Sequence, residues 1–319
     1  MFTSLFRKST FINYFLVIFT LFIFYFLFQF RHQTDQKSTF LEIVFQISIL
    51  TASFFLVNFI VKKNGLTKNS SYPILFFLLL LAMFPGVFIN LKLLIANFFL
   101  LLSFRRMISL QSLKAPKQKI FDASMWIFIA SLFHFWCIIF IVLVYISIIF
   151  HVSRDYRNWI IPFIAFFTSI VVFFLFSLIF EPNLINSFKE NLLINIDWNY
   201  FVKNYQNGVL SLYLLIAIYF TFSMIFTLTN KPLILQASYK KMIFGVVIGI
   251  IVFLITPSKN HQALIFTFFP LAVLATNNIE YANSKKYQEI ILVLMVIISF
   301  ILVAYLKHFK RDVLKKKFV

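Results

Sequence analysis

The chain has 319 residues, of which 61% are hydrophobic and 12% charged, and its mean hydropathy is +0.93. Soluble domains carry about 25% charged residues, so this composition excludes a soluble globular protein and indicates one that lipid solvates. The net charge of +19 comes from Lys and Arg in short segments between apolar runs. Basic residues in such segments orient membrane spans and meet anionic lipid head groups, which argues against a nucleic-acid partner.

Apolar runs recur along the whole chain, which predicts an all-α, polytopic transmembrane bundle in a single integral-membrane domain. Each helical span takes about 20 residues, so the chain has room for ten or eleven spans with short loops. We predict spans at residues 11–30, 40–61, 73–89, 93–104, 124–150, 159–180, 209–228, 242–255, 263–276 and 290–306.

The first apolar run predicts the orientation of the chain. Arg7 and Lys8 precede residues 11–30, a run longer than the apolar core of a cleavable signal peptide. We therefore expect a retained first helix with its N-terminus in the cytoplasm. The next loop would carry Asp35 to the outside, and the second span would return to the lysines at 62–68.

The middle of the chain carries the strongest topological signals. The pair Pro85–Gly86 predicts a kink or an early end of the third span. The fourth span leads into residues 105–122, which hold five basic residues against the single acid Asp122. We expect this basic segment to be a soluble cytoplasmic loop.

Residues 124–150 form the longest apolar run and allow two interpretations. One is a single tilted helix of about 40 Å, and the other is a pair of short helices broken near His134. The choice inverts the orientation of everything that follows. The distribution of Lys and Arg favours the single helix and ten spans by a small margin, because that topology keeps the basic tail in the cytoplasm.

Few residues are candidates for catalysis or ligand binding, and each of them can also be explained by a purely structural role. Asp35, just beyond the first span, could be a general base or hold a divalent cation against a lipid-linked phosphate. His134 lies near the middle of a long span, where ionisable residues are functional candidates, although a neutral imidazole can simply bond a neighbouring helix. Lys259 and His261 could contact phosphate from a loop, and ordinary charges at span ends explain them equally well.

Two further patterns concern packing and partners. Gly245 and Gly249 are spaced one helical turn apart, which favours a close helix–helix seam over a ligand site. Arg105 and Arg106 could hold an anionic lipid head group or a partner protein, or could serve only to orient the chain. The single cysteine, Cys137, allows no internal disulfide, and no Cys/His spacing predicts a metal site. The sequence identifies no cofactor.

Three blocks of the chain, 59–72, 94–136 and 148–159, resemble an uncharacterised family of polytopic inner-membrane proteins from flavobacteria and their Bacteroidota relatives. The resemblance covers nearly the whole chain and implies a Gram-negative inner membrane, without an activity. A second likeness, of architecture only, is to the multi-span glycosyltransferases that use polyprenyl-phosphate sugars, which place an acidic residue in the first external loop. This sequence lacks their paired acidic motif and large external domain.

These observations leave three functional hypotheses. The first is a transferase of envelope glycan assembly that uses a lipid-linked sugar, with Asp35 and His134 as catalytic candidates. The second is a non-enzymatic membrane subunit that binds a partner protein through the basic segment. The third is a carrier for a lipid or hydrophobic solute.

Overall fold

A computed structural model of the chain describes residues 2–32, 39–180, 206–256, 261–282 and 284–300. Within these ranges the chain is helical with short turns and contains no strand, which confirms the predicted all-α bundle. Seven of the described helices are long and apolar enough to cross a membrane. The helices are α1 (Phe2–Phe6), α2 (Phe11–His32), α3 (Phe40–Lys63), α4 (Tyr72–Met83), α5 (Leu91–Ser109), α6 (Pro116–Phe133), α7 (Ile141–His151), α8 (Arg157–Phe180), α9 (Gln206–Thr227), α10 (Leu233–Ile255), α11 (Ile265–Glu280) and α12 (285–300).

Most of the basic segment 105–122 is helical, whereas the sequence predicted a loop there. Its first residues complete α5, and its last residues open α6 from Pro116. Leu113 and Ala115, both with positive φ, reverse the chain between the two helices. Proline is tolerated at the first helical position because the missing N–H has no intrahelical partner there.

The long apolar run is broken at His134, as in the second of the two interpretations. His134 has an extended backbone, and a 3₁₀ segment, Phe135–Phe140, leads into α7. Lys117 at the start of α6 forms an ion pair of 3.4 Å with Asp155, just after the end of α7. The two halves therefore run back along each other as a hairpin.

Contacts between distant segments divide the bundle into two ends. At the first end, α3, α5, α7 and α11 finish and α4, α6 and α10 begin; we call it the basic end. At the opposite end, α4, α6 and α10 finish and α5 and α11 begin; we call it the neutral end. Lys241, for example, joins α10 to the end of α5 at the basic end, and Asn90 joins α5 to Gln262 at the neutral end.

Two helices form the centre of the bundle. Every residue of α4 is buried, as are nearly all residues of α11, and these two helices pack against each other. The remaining helices surround this pair and turn large apolar side chains outward, as a lipid-solvated bundle requires. Because α4 is apolar all round, it can lie at the centre without burying a charged side chain.

Gly245 and Gly249 lie where α10 meets α5 and α11. A Cβ atom on Gly245 would lie 3.0 Å from the ring of Phe104, and one on Gly249 would lie 2.4 Å from Cγ2 of Thr267. Thr267 cannot turn away freely, because its hydroxyl donates to the carbonyl of Leu264 and bonds Tyr213. The two glycines therefore allow a close helix approach at this seam.

We expect Gly249→Ala to destabilise the protein by about 1–3 kcal/mol through overpacking at this seam. Adding Thr267→Ser should restore most of the loss, because serine keeps the hydroxyl and removes the methyl group that the new Cβ meets. The measurement is the midpoint of thermal unfolding in detergent. Equal midpoints for wild type and Gly249→Ala would contradict this account of the seam.

Candidate functional site

Three interruptions of helical structure meet at the neutral end. They are the 3₁₀ segments Pro85–Phe88, Phe135–Phe140 and His261–Leu264. Pro85 cannot donate a backbone hydrogen bond, and Phe84 before it leaves helical geometry, so α4 ends at Met83. Within a membrane, non-helical backbone persists only where protein or a wet cavity covers it. These interruptions therefore mark the candidate site.

Uncharged hydrogen-bonding side chains join the interruptions to their neighbours. The hydroxyl of Tyr25 donates to Gln46 at 2.6 Å, and the Gln46 amide donates to the carbonyl of Ile89 at 3.1 Å. The Asn90 amide donates to Gln262 at 3.0 Å. These bonds tie α2, α3 and α11 to the turn between α4 and α5.

Both candidate histidines, His134 and His261, belong to this end. The Nε2 atom of His134 lies 3.2 Å from the hydroxyl of Thr256, which itself donates to the carbonyl of Val252. The hydroxyl therefore accepts, and His134 carries its proton on Nε2. The His261 ring is buried and stacks on Phe84 with its centroid 6.4 Å away.

Trp136 provides a hydrogen-bond donor that the described residues leave unused. Its Nε1 atom is buried and has no partner among them, two residues after the break at His134. A buried N–H without a partner costs free energy, and such groups call for an explanation. A ligand that offers an oxygen to this indole would remove that cost.

The charges at the neutral end are few. Among the side chains described there, Lys92 and Glu42 are the charged ones, and both are exposed. Glu42 accepts the backbone N–H of Thr39 in the capping box that begins α3. The inner part of this end is therefore suited to binding hydroxyl and amide groups by neutral hydrogen bonds.

The other predicted site residues lie elsewhere. Asp35 and Lys259 fall outside the described residues. Arg105 and Arg106 are at the basic end, and their side chains contact different partners. Arg106 forms an ion pair of 2.9 Å with Asp122, whereas the guanidinium of Arg105 lies 4.8 Å from the centre of the Phe59 ring.

The basic end contains a buried amine that the sequence analysis missed. Lys241 was read as part of a loop, but it lies inside α10 and is fully buried. Its Nζ donates to the carbonyl of Met107 at 2.7 Å and lies 3.2 Å from Nε2 of His151. A lysine in the sequence suggests a loop, but its four-carbon stem can lie along a helix while its ammonium reaches the end of another helix.

A second buried group at the basic end surrounds Glu280. Its carboxylate accepts the hydroxyl of Ser70 and the backbone N–H of Lys68, at 2.5 and 2.7 Å. Lys231, before α10, lies 3.0 Å from the centre of the Tyr281 ring and 3.4 Å from Oδ1 of Asn277. This group fastens the turn after α3 to the end of α11.

The pKa of Lys231 is lowered to about 8, mainly because the side chain is buried and also because of the positive charge of Lys68, while Glu280 opposes both effects. The ammonium form is thus less favourable in the folded protein than in the unfolded chain. The folded state therefore binds fewer protons between pH 8 and the ordinary lysine pKa.

Comparison with known proteins gives one match. A family described as a family of unknown function (DUF6427) matches residues 1–311. No curated protein and no solved structure is significantly similar to the chain.

We expect the stability of the wild type, relative to Lys231→Met, to rise as the pH increases from about 8 to 10.5. The lowered pKa means that burying the ammonium costs free energy at lower pH and that this cost disappears on deprotonation. The measurement is the unfolding midpoint of both proteins across this range. The control is Lys286→Met, which changes an exposed lysine at the same end; its unfolding midpoint should change with pH as that of the wild type does. A difference between wild type and Lys231→Met that stays constant across this pH range would contradict the lowered pKa of Lys231.

Proposed function

The chain belongs to the DUF6427 family, and from its geometry we propose an inner-membrane transferase that binds a polyprenyl-phosphate-linked sugar at the neutral end. The N-terminus and the basic end lie in the cytoplasm, and the neutral end faces outward. The observation that carries the proposal is the buried indole N–H of Trp136, which has no partner in the described part of the chain and lies beside the helix break at His134.

The charge distribution supports this orientation. Among the described Lys and Arg residues, Arg31 and Lys92 belong to helix ends at the neutral end, and all others belong to the basic end. Positive residues concentrate on the cytoplasmic side of membrane proteins because translocating them is unfavourable. The hairpin at His134 brings Lys231, Lys240 and Lys241 to the same end as Lys62 and Lys63.

The composition of the neutral end supports a sugar as the ligand. Sugar hydroxyls both donate and accept hydrogen bonds, so amide, hydroxyl, imidazole and indole groups recognise them without a net charge. Asn90 and Gln262 are half-buried rather than enclosed, as is His134, so these groups border the outer surface. Small-molecule sites combine such a few polar groups with apolar walls.

The chemistry requires groups beyond this cluster. We assign Asp35 as the general base or as the ligand of a divalent cation against the lipid phosphate, and Lys259 and His261 as phosphate contacts. The segments that hold Asp35 and Lys259 both connect helix ends at the neutral end. His134 would donate its Nε2 proton to the phosphate or to the leaving oxygen by exchanging its bond with Thr256 for one with the ligand.

A carrier for a lipid or hydrophobic solute is the second candidate. Interrupted helices also line the paths of transported solutes, because freed backbone groups can replace water around the solute. The third candidate, a subunit that binds a partner protein, loses support because Arg106, Lys117 and Lys119 already hold groups of the protein itself.

Single cysteines in a Cys137→Ala background test the orientation. In spheroplasts, a membrane-impermeant maleimide should label Lys92→Cys at the neutral end, and it should label Leu113→Cys at the basic end only after permeabilisation. Both positions are exposed, whereas Cys137 is buried and would not report. Labelling of Leu113→Cys in sealed spheroplasts would contradict the proposed orientation.

Mass spectrometry of lipid-linked sugars and surface glycans tests the activity. Cells without the protein should accumulate a polyprenyl-phosphate sugar and lose a glycan, and Asp35→Asn should do the same while still inserting. Trp136→Phe should lower turnover about tenfold, because it removes one hydrogen bond to the sugar. Its unfolding midpoint should not fall, because the substitution also removes an unsatisfied donor.

Trp159→Phe is the matched control, because its indole donates to the carbonyl of Ser153 at the basic end, away from the proposed site. It should leave turnover unchanged. A normal lipid and glycan profile in cells without the protein would refute the transferase. Equal turnover in Trp136→Phe and the wild type would refute the assigned role of the indole.

A further inference from the structure

Two cations share one aromatic ring at the basic end. The guanidinium carbon of Arg105 lies 4.8 Å from the centre of the Phe59 ring, and Nζ of Lys63 lies 5.1 Å from the same point. Each contact alone is an ordinary cation–π interaction. The two positive charges therefore lie within about 10 Å of each other, so one negative charge that reaches both gains from each.

Neither cation has a carboxylate partner among the described residues. The acids nearest in the fold are engaged elsewhere, Asp122 with Arg106 and Asp155 with Lys117. Further positive charge surrounds the pair: Lys63, Arg106 and Lys114 all act electrostatically on Lys119. The negative helix ends of α3 and α5 attract cations generally, but they do not account for two cations on one ring.

The scaffold beneath these charges is rigid. Asn64, directly after Lys63, accepts the side-chain amide of Gln111 through its carbonyl at 3.3 Å. Lys119 donates to the carbonyl of Ser109 and to the hydroxyl of Ser112, both at 2.7 Å. The ends of α3, α5 and α6 are therefore held together, and the relative positions of Lys63 and Arg105 are set before any ligand binds.

The ring that carries the charges faces lipid. Phe59 is 40% exposed, and Phe55, one turn toward the neutral end, is 60% exposed. On α5, Phe98 and Leu102 are half-exposed and lie on the face of Arg105. Residues spaced by three or four share one helix face, so each helix presents an apolar stripe that ends in a cation.

We propose that the ends of α3 and α5 bind one anionic phospholipid, whose phosphate lies between Lys63 and Arg105 and whose acyl chains follow Phe55 and Phe59. Arginine suits a phosphate because its planar donors can engage two oxygens, while lysine adds a point charge. A free phosphate offers the same oxygens but gains nothing from the apolar stripes. The geometry therefore favours the lipid.

Native mass spectrometry of the full chain released from nanodiscs tests this site. The wild type should retain one phosphatidylglycerol molecule and exchange it poorly for phosphatidylcholine. Lys63→Gln/Arg105→Gln should bind phosphatidylglycerol roughly 30-fold more weakly, as the loss of two basic contacts at a membrane surface predicts. Inorganic phosphate, added at millimolar concentration, should not displace the lipid.

The matched control is Lys62→Gln/Arg157→Gln, which removes the same charge from the same end. Lys62 and Arg157 each lie on a ring of their own, Tyr14 and Tyr156. This variant should retain the lipid like the wild type. An equal loss in both double variants would show a general attraction of the basic end and overturn the site.

A second pair of variants tests the proposed contact between Phe59 and the acyl chains. Phe59→Ala should also release the lipid, whereas Phe167→Ala on α8, another exposed aromatic residue, should not. Equal retention of phosphatidylcholine and phosphatidylglycerol by the wild type would overturn the proposal. Displacement by inorganic phosphate would overturn it as well, because the ligand would then be a free anion.

Discussion

The need to satisfy every backbone hydrogen bond away from water governs this protein. In lipid a helix satisfies its own backbone hydrogen bonds, and wherever the helix stops, other parts of the protein must cover the freed groups. The structure obeys this at Pro85 and at His134, where helices end beside buried partners. Because those interruptions meet at one end, the polar side chains that cover them also collect there. The candidate site is thus a consequence of where the helices break.

The sequence predicted the helical bundle well, because long apolar runs have few alternatives to helices in a membrane. It predicted helix ends less well. The basic segment 105–122 was expected to be soluble, yet Lys and Arg have apolar stems that cover helix surface while their charges remain at the membrane boundary. The same property hid Lys241, whose ammonium reaches a carbonyl at the end of α5.

The break at His134 could be proposed from sequence but not decided. A run of 27 apolar residues fits one tilted helix or two short ones, and its composition is the same in both. Tertiary contacts distinguish the two arrangements: His134 contacts Thr256 at one end of the bundle, while Lys117 contacts Asp155 at the other. Pairings between residues far apart in sequence carry no local signal, so neither these nor the bond between Asn90 and Gln262 could be read from the chain.

The two ends of the bundle differ in chemistry for a physical reason. At the basic end, buried Lys241 and half-buried Glu280 are each held by hydrogen bonds within the protein. At the neutral end, the buried indole N–H of Trp136 has no partner among the described residues. A buried group whose hydrogen bonds are made stabilises the fold, because moving it would break those bonds. An unsatisfied one can gain a bond without losing another. This difference supports the neutral end as the site of the proposed sugar ligand.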